Sequence, residues 1–536
     1  MRPQESGGNG PASRVERLFA ALRERGDAEA LVFGGRTYSF AELDRLSRRY
    51  AAGLASIGIR RGDRVAVFAE SSPEVVIALL GHYRSGVIHV PVNTRYRVEE
   101  AGHILRDSAA RAVLFAPGSE QAKVLDDIGD LAPVERRIAL GARAGRSGVP
   151  TWDELLDRGE ASEALAPRDS DTAVLVYTSG TTGKSKGAAL SFRALVDNML
   201  ALTGGWRFSA EDRLVLALPL FHVHGLCIGV HGSLLHGMAM MLSAKFDARE
   251  IVRQFEEAGA TVFIGVPTMY VRLLELLGAR PEAGTALGRG RLFTSGSAAL
   301  PAADFAAFEK ATGHRILERY GMTETLFTLT NPYESERRRP GTVGVPVEGC
   351  TVRIVDDGGR EMPPGEPGEI HVRSNGKMTE YWNRPEETRS SLRDGWFVTG
   401  DVGARDADGY VRILGRSSVD VIKSGGYKIS SREIEDVVAG HPAVAEVAVV
   451  GVPDRVWGER IVAVVVSRAG RPASEELAAE LVGLCVRSLA SYKSPREIRF
   501  VGELPRNALG KIQKHRILET LSQSNSPNPE SSADTP

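Results

Sequence analysis

Cysteine is scarce. Only Cys227, Cys350 and Cys485 occur in 536 residues, far apart in the chain. They make neither a metal-ligand spacing nor a disulfide framework, so a reducing compartment fits and a stapled secreted scaffold is excluded. Net charge is almost absent: 67 Lys plus Arg stand against 68 Asp plus Glu, a formal balance of -1. Bulk charge therefore draws the chain neither to nucleic acid nor to an anionic membrane. Long apolar runs are missing too. The most apolar stretch, 214–242, is broken by Pro219, Gly225, Gly229 and four histidines. That pattern suits a buried core segment and not a membrane span. The start, MRPQESGGNGPAS, is polar and has no apolar signal core. Glu16, Glu24 and Asp27, in and beside the amphipathic 14–25 stretch, argue against a transit peptide. The expected location is the cytoplasm, with no nucleic-acid partner and no stable membrane insertion.

What is present is ordinary for a globular protein: 42% hydrophobic and 25% charged residues. A single core stops growing at roughly 250–300 residues, so at least two domains are expected. Short Val/Ile/Leu/Ala runs at 64–68, 112–115, 173–177 and 261–265 read as buried parallel strands. Amphipathic stretches such as 40–57 and 73–83 read as the helices between them. The expectation is an α/β fold. A large N-terminal domain of α/β layers with a β-rich subdomain precedes a small mobile α+β C-terminal domain. The β-rich part covers 340–413, where Gly and Pro are dense and strands such as 351–355 and 369–372 alternate. The C-terminal unit has its own apolar runs at 444–450 and 461–466. In residue numbers, 1–13 is expected to be disordered and 14–415 to form the N-terminal domain. A hinge is expected at 416–419, a C-terminal domain at 420–520 and a disordered tail at 521–536.

The densest chemistry lies at 177–187, YTSGTTGKSKG, after a strand. Gly180, Gly183 and Gly187 allow close backbone approach to a phosphate. Thr178, Ser179, Thr181, Thr182 and Ser185 add hydroxyl donors, and Lys184 and Lys186 add charge. As a P-loop it is a near miss, because Thr178 stands where the first glycine belongs. The bland alternative is a flexible surface loop. This stretch resembles the phosphate-binding loop of the adenylate-forming superfamily, which holds acyl-CoA synthetases, firefly luciferase and peptide-synthetase adenylation domains. Further motifs of that superfamily follow in order: PLFH at 219–222, SGS at 295–297, YGMTE at 320–324, TGD at 399–401, GR at 415–416, SGGYKI at 424–429 and PRNALGK at 505–511. The match spans roughly 35–515.

The resemblance implies a two-step reaction in which a carboxylate attacks the α-phosphorus of ATP and a thiol then attacks the acyl-adenylate. ATP, Mg²⁺ and coenzyme A are the implied cofactors. The implied partners are small molecules, for a monomer or a homo-oligomer. Tyr320 would stack on adenine, Thr323 would donate to the α-phosphate, and Glu324 with Thr178 would hold Mg²⁺. Asp401 and Arg416 would bind the ribose. The ATP set also takes in Thr178, Ser179, Gly180, Thr181, Thr182, Gly183, Lys186 and Ser297. Lys511 would reach the substrate carboxylate and α-phosphate in the first step. Gly425, Gly426 and Tyr427 would line the coenzyme A tunnel after rotation at Ser418 or Val419. His222 would line the acyl pocket. A zinc site among His222, His224, His231 and His236 is unsupported by their spacing.

Two arginines bear on the acid. Arg272 ends the GVPTMYVR stretch at 265–272, and Arg319 precedes Tyr320, both flanking acyl-pocket segments of the superfamily. An arginine in an acyl pocket is costly without an anionic partner, and its planar fork suits a carboxylate. Arg272, Arg319, Ser297 and His224 are therefore the candidates for a second substrate carboxylate. With the segments at 218–226, 265–270, 295–301 and 318–326, the chain resembles the malonyl-CoA synthetase branch. The expected activity is an ATP-dependent malonate or methylmalonate CoA ligase. A short- or medium-chain fatty or aromatic acid ligase is the alternative. For Arg272 the bland alternative is a pairing with a protein acid such as Glu318 or Glu275, or exposure to solvent.

Overall fold

The computed structural model describes residues 13–129, 134–141, 149–158, 167–178, 185–416, 420–424, 427–454, 457–489, 493–506 and 512–523. Two compact units divide the chain: Met1–Val352 with Val372–Phe397, and Arg353–His371 with Val398–Pro536.

The first unit is built on two sheets. In the seven-stranded sheet the order is Glu380–Tyr381, Lys186–Ser191, Thr172–Thr178, Ile88–Pro91, Arg64–Phe68, Ala112–Phe115 and Arg136–Ala139. The last five run parallel and the first two pairings are antiparallel. The apolar runs are continuous because both faces of this sheet are covered. Val65, Val67, Val174 and Val176 pack into the main core. Ala66, Phe68, Leu175 and Ala189, one residue out of phase, pack into a second cluster on the opposite face. The nine-stranded sheet has a parallel centre, Leu317–Met322, Leu292–Ser295, Val262–Gly265, Arg213–Leu216, Ala239–Leu242 and Glu29–Phe33, with antiparallel strands at both edges. The apolar 214–242 stretch contributes two of these strands and a π-helical turn, His224–His231. Among the described residues no helix is long and apolar enough to cross a membrane.

The helix Phe192–Gly205 carries a fully buried Asn198. Its amide donates to the Phe327 carbonyl at 2.9 Å and accepts from the Phe327 N–H at 3.0 Å, in the manner of a neighbouring strand. Asn198→Leu strands two buried backbone groups, so a destabilisation of about 2–6 kcal/mol is expected in urea unfolding. A loss below about 1 kcal/mol would show that other donors take over.

In the second unit Val444–Asp454 and Gly458–Ser467 pair antiparallel, and Glu497–Phe500 lies parallel to the latter. Val447 and Val449 face one apolar cluster with the helices Ser431–Ala439 and Glu475–Ser488. Ala448 and Val450 face another with Ile517 and Leu521 of Lys514–Gln523. Trp396–Arg405 and Val411–Arg416 pair antiparallel, with Asp401 opposite Arg416.

Several expected boundaries move. Ser13 is ordered, since its side chain accepts from the Glu16 N–H and completes a capping box for Arg14–Glu24. The last helix runs through 521–523 because Leu521 is buried. The compact units divide at 352/353, 371/372 and 397/398, where a single break near 415 was expected. Residues 417–419, which carry the expected hinge, lie outside the described residues, as do the two terminal segments beyond 13 and 523.

Candidate active site

One hairpin organises the site. Leu317–Met322 pairs antiparallel with Leu326–Thr330, with a register shift between Tyr320 and Gly321. Any Cβ at Gly321 would collide with the Leu326 carbonyl, so glycine is required there. Leu326 itself sits at φ 53°, in a left-handed region that costs a branched side chain free energy. This tight turn buries Thr323 and Glu324 at its tip and leaves Tyr320 half-buried.

Glu324 is the first centre. Its Oε1 accepts from the Tyr381 hydroxyl at 2.8 Å and from Thr178 Oγ1 at 3.4 Å. Its backbone carbonyl accepts from the Met378 N–H at 2.7 Å. Lys186 Nζ lies 4.7 Å from the centre of the Tyr381 ring. Among the described residues no Lys or Arg forms an ion pair with Glu324, although its side chain is buried. A buried carboxylate braced by two hydroxyls and lacking a protein cation fits a hard divalent ion.

Arg319 is the second centre. It is 3% exposed, and its Nε and Nη2 have no hydrogen-bond partner. Burial pulls the guanidinium down to about 9, which still leaves it cationic at neutral pH. The charge lies over the Phe327 ring, 4.6 Å from its centre. Gly296 leaves room for it, because a Cβ there would come within 2.5 Å of the guanidinium carbon. Packing and then the Arg319 charge push His222 down to about 4 and His224 well below its ordinary range. His224 Nδ1 is 3.3 Å from Ser297 Oγ, and its Nε2 is buried without a partner. Ser297 adopts φ 67°, a second strained backbone position in the same place. The adjacent Glu318 points elsewhere: its carboxylate accepts from the backbone N–H groups of Leu300 and Gly341.

Arg272 does not join this cluster. The helix Pro267–Ala279 buries Met269, Tyr270, Leu273 and Leu277 and leaves Arg272 exposed. That outward position is written in the helical period, since 269, 270, 273 and 277 share one face. The argument from buried charge therefore applies to Arg319 alone. Asp401 is buried in the second unit, its backbone N–H bonded to Thr399 Oγ1 at 3.0 Å. Arg416 ends the strand opposite it, and Tyr427 begins the strand Tyr427–Ser430. Ser179, Gly180, Thr181, Thr182, Gly183, Gly425, Gly426 and Lys511 lie outside the described residues. His231 and His236 are packed, within hydrogen-bond reach of the hydroxyls of Tyr83 and Thr203. Tyr381 was missed by the sequence reading. Its only signal is an aromatic pair, Tyr381-Trp382, in a polar stretch.

The AMP-binding enzyme family matches residues 18–382, and its C-terminal domain family matches 433–511. The chain belongs to the AMP-binding enzymes. Malonate–CoA ligase of Arabidopsis thaliana is 33% identical to this AMP-binding enzyme over 550 residues, covering 95% of this chain and 89% of that protein. Sulfoacetate–CoA ligase of Cupriavidus necator is 35% identical over 493 residues, covering 91% of this chain and 92% of that protein. The crystal structure of ATP-bound MatB from Rhodopseudomonas palustris matches the AMP-binding enzyme with a TM-score of 0.85 at 36% identity, covering 95% of this chain and 99% of that one.

Proposed function

We propose that this enzyme is an ATP-dependent carboxylate–CoA ligase whose acid carries a second anionic group, with malonate as the substrate. The observation that carries the reading is Arg319, a buried cation with two unpartnered nitrogens and, among the described residues, no ion pair. An unpaired buried charge costs several kcal/mol, which a ligand anion offsets. Phe327 covers one face of the guanidinium. Because His222 and His224 stay neutral, Arg319 is the positive charge among these described side chains, matched to one distal anion.

The other carboxylate of the acid attacks the α-phosphorus of ATP, forming a C–O–P bond as pyrophosphate leaves. The thiol of coenzyme A then attacks the acyl carbon, and AMP departs as the thioester forms. Thr323, buried at the hairpin tip, would donate to the α-phosphate. Glu324, with Thr178 beside it, would hold Mg²⁺, which supplies charge neutralisation for the phosphates. The relatives' acids support the distal anion: malonate ends in a carboxylate and sulfoacetate in a sulfonate.

The test is a panel of malonate, methylmalonate, sulfoacetate, butyrate, octanoate and benzoate with ATP, Mg²⁺ and coenzyme A, reading AMP release and thioester mass. Malonate is expected to exceed butyrate by at least about 10²-fold in kcat/KM, because butyrate leaves Arg319 unpaired. Methylmalonate should follow malonate within about 10–200-fold, the worth of one methyl group. A preference for butyrate, octanoate or benzoate would replace this reading with the monocarboxylate one. ADP in place of AMP would remove the ligase reading altogether.

A further inference from the structure

The two hydroxyls that meet at Glu324 Oε1 come from separate segments, and both segments are tied to one residue that touches neither hydroxyl. Asp107 ends the helix Val98–Asp107, and its side chain is 11% exposed. Its Oδ2 accepts from the Tyr177 hydroxyl at 2.8 Å. Its Oδ1 pairs with Arg384 Nη2 at 3.1 Å, and its backbone carbonyl accepts from Asn383 Nδ2 at 3.1 Å.

These contacts bear on Glu324 through strand geometry. Tyr177 immediately precedes Thr178 in one strand, so their side chains point to opposite faces. Fixing the Tyr177 phenol fixes the rotation of the strand and hence where Thr178 Oγ1 points. On the other segment, the Arg384 N–H donates to the Tyr381 carbonyl at 3.0 Å, closing a turn in which Asn383 takes φ 55°. Holding Arg384 therefore holds Tyr381. One helical turn before Asp107, His103 Nε2 is 2.8 Å from the Ser185 carbonyl, and its ring packs edge-on against Tyr177. The same helix thus braces the residues just outside Thr178 and Lys186.

We propose that Asp107 is the positioning residue of the Glu324 centre: by gathering Tyr177 and Arg384 on one carboxylate, it sets the gap between the Thr178 and Tyr381 hydroxyls. That gap fixes the orientation in which Glu324 receives a divalent cation arriving with ATP. The inference rests on the reading of Glu324 as the cation-bearing carboxylate.

The experiment uses the full-length enzyme and two readouts. The first is the rise in melting temperature given by ATP as Mg²⁺ is titrated, without acid or coenzyme A. The second is kcat and KM for ATP in malonate-dependent pyrophosphate exchange. Asp107→Ala is expected to raise the Mg²⁺ midpoint roughly tenfold and to lower kcat for exchange about 10–100-fold, as removal of an outer partner of a metal ligand does. Asp107→Asn still accepts from Tyr177 but loses the charge opposite Arg384, so it should fall between. Asp107→Ala combined with Tyr381→Phe should add little to either change alone, since both act through one carboxylate oxygen. An unchanged Mg²⁺ midpoint in Asp107→Ala, or full additivity in the double variant, overturns the proposal and leaves Asp107 a structural residue. Glu324→Gln separates the two levels. If it leaves the midpoint unmoved, the reading of Glu324 fails; if it moves the midpoint and Asp107→Ala does not, only the positioning role fails. Should Asp107→Ala not fold, Tyr177→Phe removes a single oxygen and should move the midpoint in the same direction by about threefold.

Discussion

Arg319→Met is expected to lower kcat/KM for malonate by roughly 10²–10³-fold while raising the relative activity toward butyrate. The size follows from stranding the distal carboxylate in a pocket that no longer holds a cation, which costs about 3–5 kcal/mol. Butyrate carries a methyl group in that space and gains apolar contact with the new thioether. The same substitution should raise the melting temperature of the free enzyme. Arg319 is fully buried with two unpartnered nitrogens, and replacing such a charge by a packed apolar side chain often stabilises by about 1–4 kcal/mol. Activity falling as stability rises is the signature of a charge kept for its ligand. Gly296→Ala gives an independent check, since the added methyl displaces the guanidinium without removing its charge. If Arg319→Met keeps full malonate activity, or if its melting temperature drops and the acid preference is unchanged, Arg319 is not the anchor.

The second large effect concerns acid. His82, His89 and His231 are completely buried, and His224 is 3% exposed. Burial holds His82 and His231 down at about 3, and His89 and His224 well below the ordinary range. Among the described residues, the groups facing them offer no negative charge. Tyr50 OH meets His82 Nε2 at 3.3 Å, His82 and His89 meet at 3.0 Å, and Tyr83 OH meets His231 Nε2 at 2.8 Å. Cys227 lies near Tyr83, and Arg319 near His224. The unfolded chain binds a proton at each site below about pH 6.5, whereas the folded chain binds none until far lower. The stability these sites contribute is therefore complete above about pH 6.5 and falls as pH drops toward 3. At pH 5 each neutral histidine costs about 2 kcal/mol, or roughly 8 kcal/mol for four, against a total stability of about 5–15 kcal/mol. Stability should fall steeply between about pH 6.5 and 5, before most carboxylates titrate, as the unfolded chain takes up protons that these sites refuse. Urea unfolding at pH 7.5, 6 and 5 measures it, and His231→Gln should reduce the slope by about a quarter. A stability that stays flat from pH 7 to 5 would show that these imidazoles accept protons in place.

Much of this was legible because the signals are local and periodic. The 64–68 and 112–115 runs became strands at those residues, and PEVVIALLGHY begins a helix, Pro73–Ser85, with proline in its first turn. YGMTE marks the hairpin because its glycine and its buried acid are required in one tight turn. The two arginines show where such reading stops. Both flank segments expected to form the pocket, but one lies on a buried strand and the other on the outer side of a helix, and only the helical period separates them. Asp107 carries no local signal at all, and Tyr381 only that of its aromatic pair with Trp382. Tyr381 reaches Glu324 across 57 positions, and Asp107 meets Arg384 across 277. Nothing near either residue in the chain announces the meeting.

That long reach has a consequence for how the protein is made. The first compact unit takes back Val372–Phe397 after the second has already claimed Arg353–His371, so the two interleave along the chain. At a synthesis rate of about 5–20 residues per second, roughly 20–80 s pass between the first residue and Arg384 leaving the ribosome. For roughly the last 10–40 s of that time the strand Lys186–Ser191 has been made and has no Glu380–Tyr381 to pair with. A nascent chain with an open sheet edge and an apolar interior is a template for wrong pairing. The vulnerable species in production is thus not the finished enzyme but the translation intermediate that ends short of Tyr381, and slowing synthesis within the preceding stretch lengthens its exposure.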